Sequence, residues 1–426
     1  MTDQQLLVGA EAVLRANDVG DYTKPSGHLY PHQWNWDSAF NALGWAHLDW
    51  GRGTREVEAF LAAQWTNGML PHIRYNPAVT DYAPGPEWWT HTPVKRAGEL
   101  TSGISQPPVL PSIVHIVGLM QPDEQRRRGW WNGIYDALSD ALLYFPRHRT
   151  TGNSPLIVLV HPWESGLDNS PRWDTAVARG FRPSRPYRRV DTTKVAAAER
   201  PTSRDYDLYM FLVELIASHR YELRDYIAKT PFAVYDAMFN AVWYRAARDL
   251  NRIAVAIDRP AVVSEPSMDA FRRAYHAALW DDEGAMFLDV DLTSRAKIPV
   301  HTWAGLAAIY AGLVDAAQAE VMYDRYASRC RNCRQLPSVL PDQSGFESDR
   351  YHRGPVWVNA NWMMARGLAE LGLRSHARGL SEATIELVRR SGFHEYFDAF
   401  TGRGAGADEF SWTAALTIDL VQRPIA

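Results

Sequence analysis

The chain has 426 residues, 46% hydrophobic and 22% charged, with a formal net charge of −4. That composition supports a large core and offers neither the basic excess nucleic-acid binding needs nor a charge imbalance suited to a membrane surface. No stretch approaches the ~20 apolar residues that span a bilayer, Met1 leads into Thr-Asp-Gln-Gln rather than a basic and then apolar leader, and the two cysteines, Cys330 and Cys333, make no disulfide framework; a cytoplasmic protein with no membrane or nucleic-acid partner is predicted.

Helical periodicity dominates from one end to the other. Val57, Phe60, Leu61 and Trp65 share a face, and Ile134, Ala137, Leu138, Ala141, Leu142 and Phe145 recur at three and four residues. Residues 77–86, with Pro77, Pro84, Gly85 and Pro86, read as a long loop. Residues 156–160 form a β-branched run that reads as a strand. The stretch 179–204 scatters Arg179, Arg182, Arg185, Arg188, Arg189, Lys194, Arg200 and Arg204 among prolines and threonines. It reads as a loop placed as either a lid or a solvated linker. Helical patterns return over 206–218, 234–257, 303–313, 362–373 and 380–388, interrupted by a strand signal at 286–290 after Asp282-Glu283-Gly284. A last helix is expected from Ser411, as N-cap, to about Val421. Paired helices on short Gly/Pro connections make an all-α array of αα-hairpins. An array that closes on itself lets one domain, 1–426, absorb a length that otherwise suggests two or three.

Three segments combine carboxylates with tryptophans in a way helix packing does not require. Tyr30-Pro-His-Gln-Trp-Asn-Trp-Asp37 holds two tryptophans and a carboxylate in a helix-entry loop. Asp37 taken alone is a good helix cap; with Trp34 and Trp36 it is also a platform for a sugar ring, whose C–H face stacks on aromatics while its hydroxyls donate to carboxylate. His161-Pro-Trp-Glu-Ser-Gly-Leu-Asp168-Asn-Ser-Pro-Arg-Trp-Asp174 sets Glu164, Asp168, Arg172 and Asp174 between Trp163 and Trp173, a density that drives carboxyl pKa values apart. Gly392-Phe-His-Glu395-Tyr-Phe-Asp-Ala-Phe-Thr-Gly402 buries Glu395 among aromatics and is followed by Phe410-Ser-Trp412-Thr-Ala-Ala415. The chain carries 17 Trp, 19 Tyr and 14 Phe; most serve a large core, and a subset suits a sugar pocket. Two carboxylates in separate aromatic loops meet the demand of glycoside hydrolysis for one protonated and one ionised carboxyl group.

In order along most of the chain, these segments resemble the bacterial branch of glycoside hydrolase family 63, and in particular its mannosylglycerate and glucosylglycerate hydrolases. Ser105-Gln106-Pro-Pro108, Arg204-Asp-Tyr-Asp207 and Gly354-Pro-Val-Trp357-Val-Asn-Ala-Asn-Trp362 complete the match. The strings around Asp168 and Trp357 are highly specific, the shorter ones less so. The resemblance implies an (α/α)6 barrel and an inverting mechanism that uses no cofactor and no metal. It makes Asp168 the acid and Glu395 the base, with Glu164 and Glu409 in reserve. It maps sugar contacts onto Trp34, Trp36, Asp37 and Trp357, and aglycone contacts onto Tyr30, Tyr82 and Gln106. Trp163, Glu164 and Trp412 complete the expected substrate-binding set. His394 and Ala399 depart from the pattern, proline being expected at 399.

The expected partner is thus a small α-linked sugar substrate, with a homo-oligomer left open. A neutral disaccharide or oligosaccharide end as substrate, and a non-catalytic sugar-binding protein, are the rival readings. The Cys330-x-x-Cys333 pair has redox-motif spacing but no βαβ context, and falls short of a four-ligand zinc site. His28, His32 and His161 are candidates to border the pocket, with a hydrogen-bonded structural role the simpler expectation for each.

Overall fold

Helices Asn35–Leu48, Leu110–Leu119, Ala237–Ala256, Ala307–Ala311, Val358–Glu370 and Ser411–Gln422 pack side by side in that order, and the last returns to pack on the first. They close a ring. The structure is a computed structural model that describes every residue except 90, 91, 93, 96, 97, 331, 334 and 426. Outside the ring, Asp3–Asn17 lies on Ser411–Gln422, Trp50–Leu61 on Asn35–Leu48, Glu124–His148 on its two inner neighbours, Glu265–Leu279 on Ala237–Ala256, and Arg374–Ser391 on Val358–Glu370. Ala316–Ser328 takes the remaining outer place in chain order. The fold is a helical (α/α)6 barrel, as expected.

Residue pattern explains which helix lies where. The outer helix Trp50–Leu61 is amphipathic, burying Val57, Phe60 and Leu61 while Arg55 and Glu58 stay out. In the inner helix Ser411–Gln422 every residue from Ser411 to Leu420 is buried, as a helix walled on all sides must be. The ring closes tightly between Asn35–Leu48 and Ser411–Gln422. A Cβ at Gly44 would lie 2.5 Å from Ala415 Cβ, so only glycine allows the two backbones this near.

Some local expectations change. The run 156–160 is not a strand: only Leu159 bridges Val234, and the run is buried as packing. The signal at 286–290 resolves into Met286–Phe287 and Val290–Asp291, the second in a three-stranded patch with Val234–Tyr235 and Ala296–Lys297. Ser411 is the first helical residue rather than the cap. Its hydroxyl donates to Lys24 O and accepts from Asn17 Nδ2, tying the chain's first helix to its last. Asp37 sits inside the first turn of Asn35–Leu48 and caps nothing. The 179–204 stretch contains helical turns at Asp191–Lys194 and Ala197–Glu199, and it ends where Thr202 and Asp205 form a capping box for Ser203–Ser218.

Candidate active site

Three of the inner helices start at one cavity. Trp34, Trp36 and Asp37 enter it from the start of Asn35–Leu48, Trp357 from the residue before Val358–Glu370, and Phe410 and Trp412 from the start of Ser411–Gln422. Tyr30, Tyr82, Gln106, Trp163, Asp168 and Glu395 join them from loops. The cavity with its mouth encloses about 750 Å³, the size of a small-molecule site rather than a polymer groove.

Aromatic packing gives it rigid walls. Trp36 and Trp412 meet edge to face with centroids 5.1 Å apart, and Trp357 meets Trp412 at 5.7 Å. His352 stacks on Trp357 at 4.2 Å. The Trp36 backbone N–H donates to Gln106 Oε1 at 3.4 Å. Gly166 has φ +67°, and a Cβ there would lie 2.6 Å from Trp36, so glycine is required twice over, by conformation and by space.

The Asp168 loop is held through its own backbone. Tyr209 OH donates to Asp168 O at 2.7 Å, Trp173 Nε1 to Leu167 O at 3.0 Å, Arg353 Nη1 to Asn169 O at 3.2 Å, and Asn169 Oδ1 accepts from His352 N at 2.9 Å. With its backbone oxygen fixed, the Asp168 carboxyl is left to the cavity. Burial pushes it up to about 7, Arg200 pulls against that rise, and the neighbouring Glu395 adds to it.

Glu395 is surrounded differently. Its Oε1 accepts from Tyr30 OH at 2.7 Å and faces Arg200 Nη1 at 3.5 Å, and its Oε2 accepts from Ala407 N at 2.9 Å. Burial raises this carboxyl too, but Arg200, the Ala407 N–H and the Tyr30 hydroxyl all favour the ionised form. Asp37 is raised well above the ordinary carboxylate range by burial, with Glu395 and Asp168 adding to the rise. Like charges confined in one cavity cannot all ionise, so the donors at Glu395 make it the group that holds the negative charge.

One expected residue lies elsewhere. Glu164 does not line the cavity: it is fully buried behind it, pairing with the Arg149 guanidinium and accepting from Val160 N at 2.9 Å and Ser105 N at 3.3 Å. A carboxylate so enclosed braces the loop and does not reach substrate. Glu409, the reserve base, is exposed and also outside the lining. His161 is buried between Tyr209 O and Trp163 N, His32 accepts from Asn76 N, and His28 is exposed; none is among the lining residues. The cavity instead takes His72, Tyr75, Arg200, Tyr206, Tyr351 and His352, which the sequence did not single out. Among the described residues, the one His/Asp/Glu group spaced for a metal ion is Glu320, Asp324 and His376, outside the cavity.

Residues 30–413 match the family described as the mannosylglycerate hydrolase MGH1-like glycoside hydrolase domain. The chain is 39% identical over 414 residues to a mannosylglycerate hydrolase of Thermus thermophilus, covering 96% of this chain and 99% of that one. It is 33% identical over 440 residues to a glucosylglycerate hydrolase of Mycolicibacterium hassiacum, covering 98% of each. The crystal structure of a GH63 mannosylglycerate hydrolase from a second strain of Thermus thermophilus, in complex with Tris and D-glycerate, is similar with a TM-score of 0.91 at 38% identity, over 97% of this chain and 99% of that one. A cavity of aromatic walls around differently tuned carboxyl groups fits what these relatives are, and the chain is a glycoside hydrolase of small glycosides that belongs to the mannosylglycerate hydrolase MGH1-like branch of glycoside hydrolase family 63.

Proposed function

We propose that the enzyme hydrolyses α-glucosylglycerate or α-mannosylglycerate with inversion, Asp168 acting as general acid and Glu395 as general base. The observation that carries this reading is the contrast between the two carboxyl groups: Asp168, raised to about 7 by burial, keeps its proton near neutrality, while three donors hold Glu395 ionised. Asp168 gives its proton to the glycosidic oxygen as the bond breaks. Glu395 takes a proton from a water that attacks the anomeric carbon on the opposite face.

Substrate contacts follow from the cavity walls. The Trp34, Trp36, Trp357 and Trp412 side takes the sugar ring, with Asp37 accepting its hydroxyl protons. Trp412 Nε1 and His352 Nδ1 are buried without a hydrogen-bond partner, so a hydroxyl-rich ligand satisfies groups the protein leaves unmet. An aglycone carboxylate suits Arg200, a buried cation whose contacts with Asp191 and Glu395 are long, 3.4 and 3.5 Å. Tyr30, Tyr82, Tyr206 and Tyr351 line the same cavity, and burial keeps each phenol neutral and therefore a donor.

The segment 179–204 is the lid of a single catalytic domain in this reading. Its Arg200 lines the cavity, and the rest of it is tied to segments beside the lining: Arg188 pairs with Asp81 at 2.5 Å, Arg185 lies over the Trp88 ring at 3.6 Å, Lys194 donates to His28 O, and Tyr396 OH donates to Glu199 O. A cytoplasmic location belongs to the same proposal. Among the described residues no helix is long and apolar enough to cross a membrane.

Proton NMR of the enzyme mixed with each glycosylglycerate tests the core of the proposal. Early release of the β-anomer supports inversion and identifies the preferred sugar. Early α-anomer means retention. Turnover of neutral disaccharides without either glycosylglycerate would move Arg200 out of substrate recognition.

A further inference from the structure

Cys330 and Cys333 are the chain's two cysteines, and both thiols are free. They follow the outer helix Ala316–Ser328 in a tight turn, where Cys333 N–H donates to Cys330 O at 2.8 Å. The turn brings the side chains near enough for each thiol to shift the other's proton affinity, and Cys330 Sγ donates to Tyr326 O at 3.3 Å. Cys330 is 7% exposed and Cys333 half-buried. One thiol can be reached from solvent and the second waits behind it, the arrangement that exchanges with an external disulfide without joining two chains.

The turn is continuous with the pocket wall. Leu336 N–H donates to Asn361 Oδ1 at 3.3 Å, Pro337 bridges Val356, and Val356 bridges Phe397. Val356 precedes Trp357 of the cavity, and Phe397 lies two residues beyond Glu395. A change in the Cys330–Cys333 turn is therefore passed through two backbone bridges to the strip that presents Trp357.

We propose that Cys330 and Cys333 form a reversible thiol–disulfide modification site, oxidised by a low-molecular-weight disulfide and coupled to the Trp357 wall of the cavity. The Cys333 thiolate attacks one sulfur of the external disulfide, forming a mixed disulfide and expelling one small thiolate. The Cys330 thiol, losing its proton, then attacks the Cys333 sulfur and expels the second. Two electrons pass to the oxidant, which leaves as two thiols, and one protein disulfide forms. The greater exposure of Cys333 and the burial of Cys330 favour this order, and the neighbouring thiols reinforce it by lowering Cys333 below its ordinary range and raising Cys330.

Incubating the intact enzyme with oxidised glutathione and then measuring its mass tests the site. Loss of two hydrogens, mapped to a Cys330–Cys333 linkage and reversed by dithiothreitol, is the expected result. A stable glutathione adduct, or two thiols still free, overturns it. Coupling is read as KM for whichever glycosylglycerate is turned over, with at least a twofold change expected on oxidation and its return on reduction; a disulfide that leaves KM unchanged overturns the coupling. Cys330→Ser should make KM insensitive to the oxidant, and the half-buried Cys333→Ser serves if loss of the buried thiol prevents folding. The mass measurement needs no substrate, so its outcome stands apart from the substrate assignment.

Discussion

In the proposed mechanism Asp168 works as an acid only while protonated, and Glu395 as a base only while ionised. The pH profile of kcat/KM should therefore be bell-shaped, its alkaline limb set by the group that burial raises to about 7. Both limbs belong to a coupled cluster, since the Glu395 carboxylate raises the proton affinity of Asp168 and of Asp37. Asp168→Asn should remove the alkaline limb and lower kcat about 10²–10⁴-fold with a small change in KM. The same substitution has a stability signature. The folded pKa of Asp168 lies above its unfolded value, so the native state favours the proton, and the wild type loses stability as pH rises from the ordinary carboxylate range through about 7. Asp168→Asn should raise the thermal midpoint at pH 8, and the gain should vanish as the pH falls towards 4. For the base, Tyr30→Phe deletes the 2.7 Å donor to Glu395 Oε1. Its carboxylate becomes easier to protonate, so the acidic limb should move to higher pH while the alkaline limb stays. Local sequence revealed these carboxylates because each stands among aromatic residues, but it could not tell a carboxylate facing the cavity from one facing away. Glu164 is near Asp168 in sequence, yet Arg149 draws it behind the wall. Arg200 was hidden for the opposite reason, since its target Glu395 is 195 residues away and nothing in a proline-rich loop marks one arginine among its neighbours.

At the scale of elements, function rests on loops pinned to a ring of helices. Gly166 ends the turn Pro162–Ser165 in a left-handed conformation against Trp36, so Gly166→Ala must move either the acid loop or the sugar platform. Activity should fall at least about tenfold, with a stability loss of about 1–3 kcal/mol readable by denaturant titration. The proposed lid makes a contrasting prediction. Arg188 and Asp81 are 60% and 83% exposed, a pair worth little to stability, and the stack of Arg185 on Trp88 closes loop on loop. Arg185→Ala combined with Arg188→Ala should leave the thermal midpoint within about 2 °C while raising KM several-fold and exposing 179–204 to proteolysis. An unchanged KM would make the segment a solvated linker. Helical period made the barrel helices visible because each must bury a stripe against its neighbours. The short strands were not so visible: a buried run such as 156–160 has the same apolar composition whether it pairs or only packs.

Over the whole molecule, the barrel separates chemistry from anchorage along one axis. Three inner helices, Asn35–Leu48, Val358–Glu370 and Ser411–Gln422, start at the cavity, where their positive dipole ends favour an ionised carboxylate, while further along they are tied by buried charge. Asp419 is completely buried in Ser411–Gln422, about two turns below Trp412. It accepts from Trp362 Nε1 at 2.7 Å and Arg366 Nη2 at 2.6 Å, and meets His47 at 3.0 Å and Arg423 at 3.1 Å. Those partners come from Val358–Glu370, from Asn35–Leu48 and from just beyond the end of its own helix, so one carboxylate joins three members of the ring across the point where the chain's last helix meets its first inner one. Hydrogen bonds and the two arginines hold it far below the ordinary carboxylate range against the cost of burial. Asp419→Ala leaves the half-buried Arg366 without its counter-ion and Trp362 Nε1 without its acceptor, and should cost about 2–4 kcal/mol at pH 7. The sign with pH is opposite to that of Asp168. A depressed folded pKa means Asp419 stabilises fully above its unfolded pKa, and this contribution fades as the pH drops below that value, so wild type and variant should converge in acid. Below its own midpoint the variant should retain the wild-type pH–rate profile, because no cavity group touches Asp419. A shifted alkaline limb in Asp419→Ala would show instead that the two ends of the barrel are energetically joined.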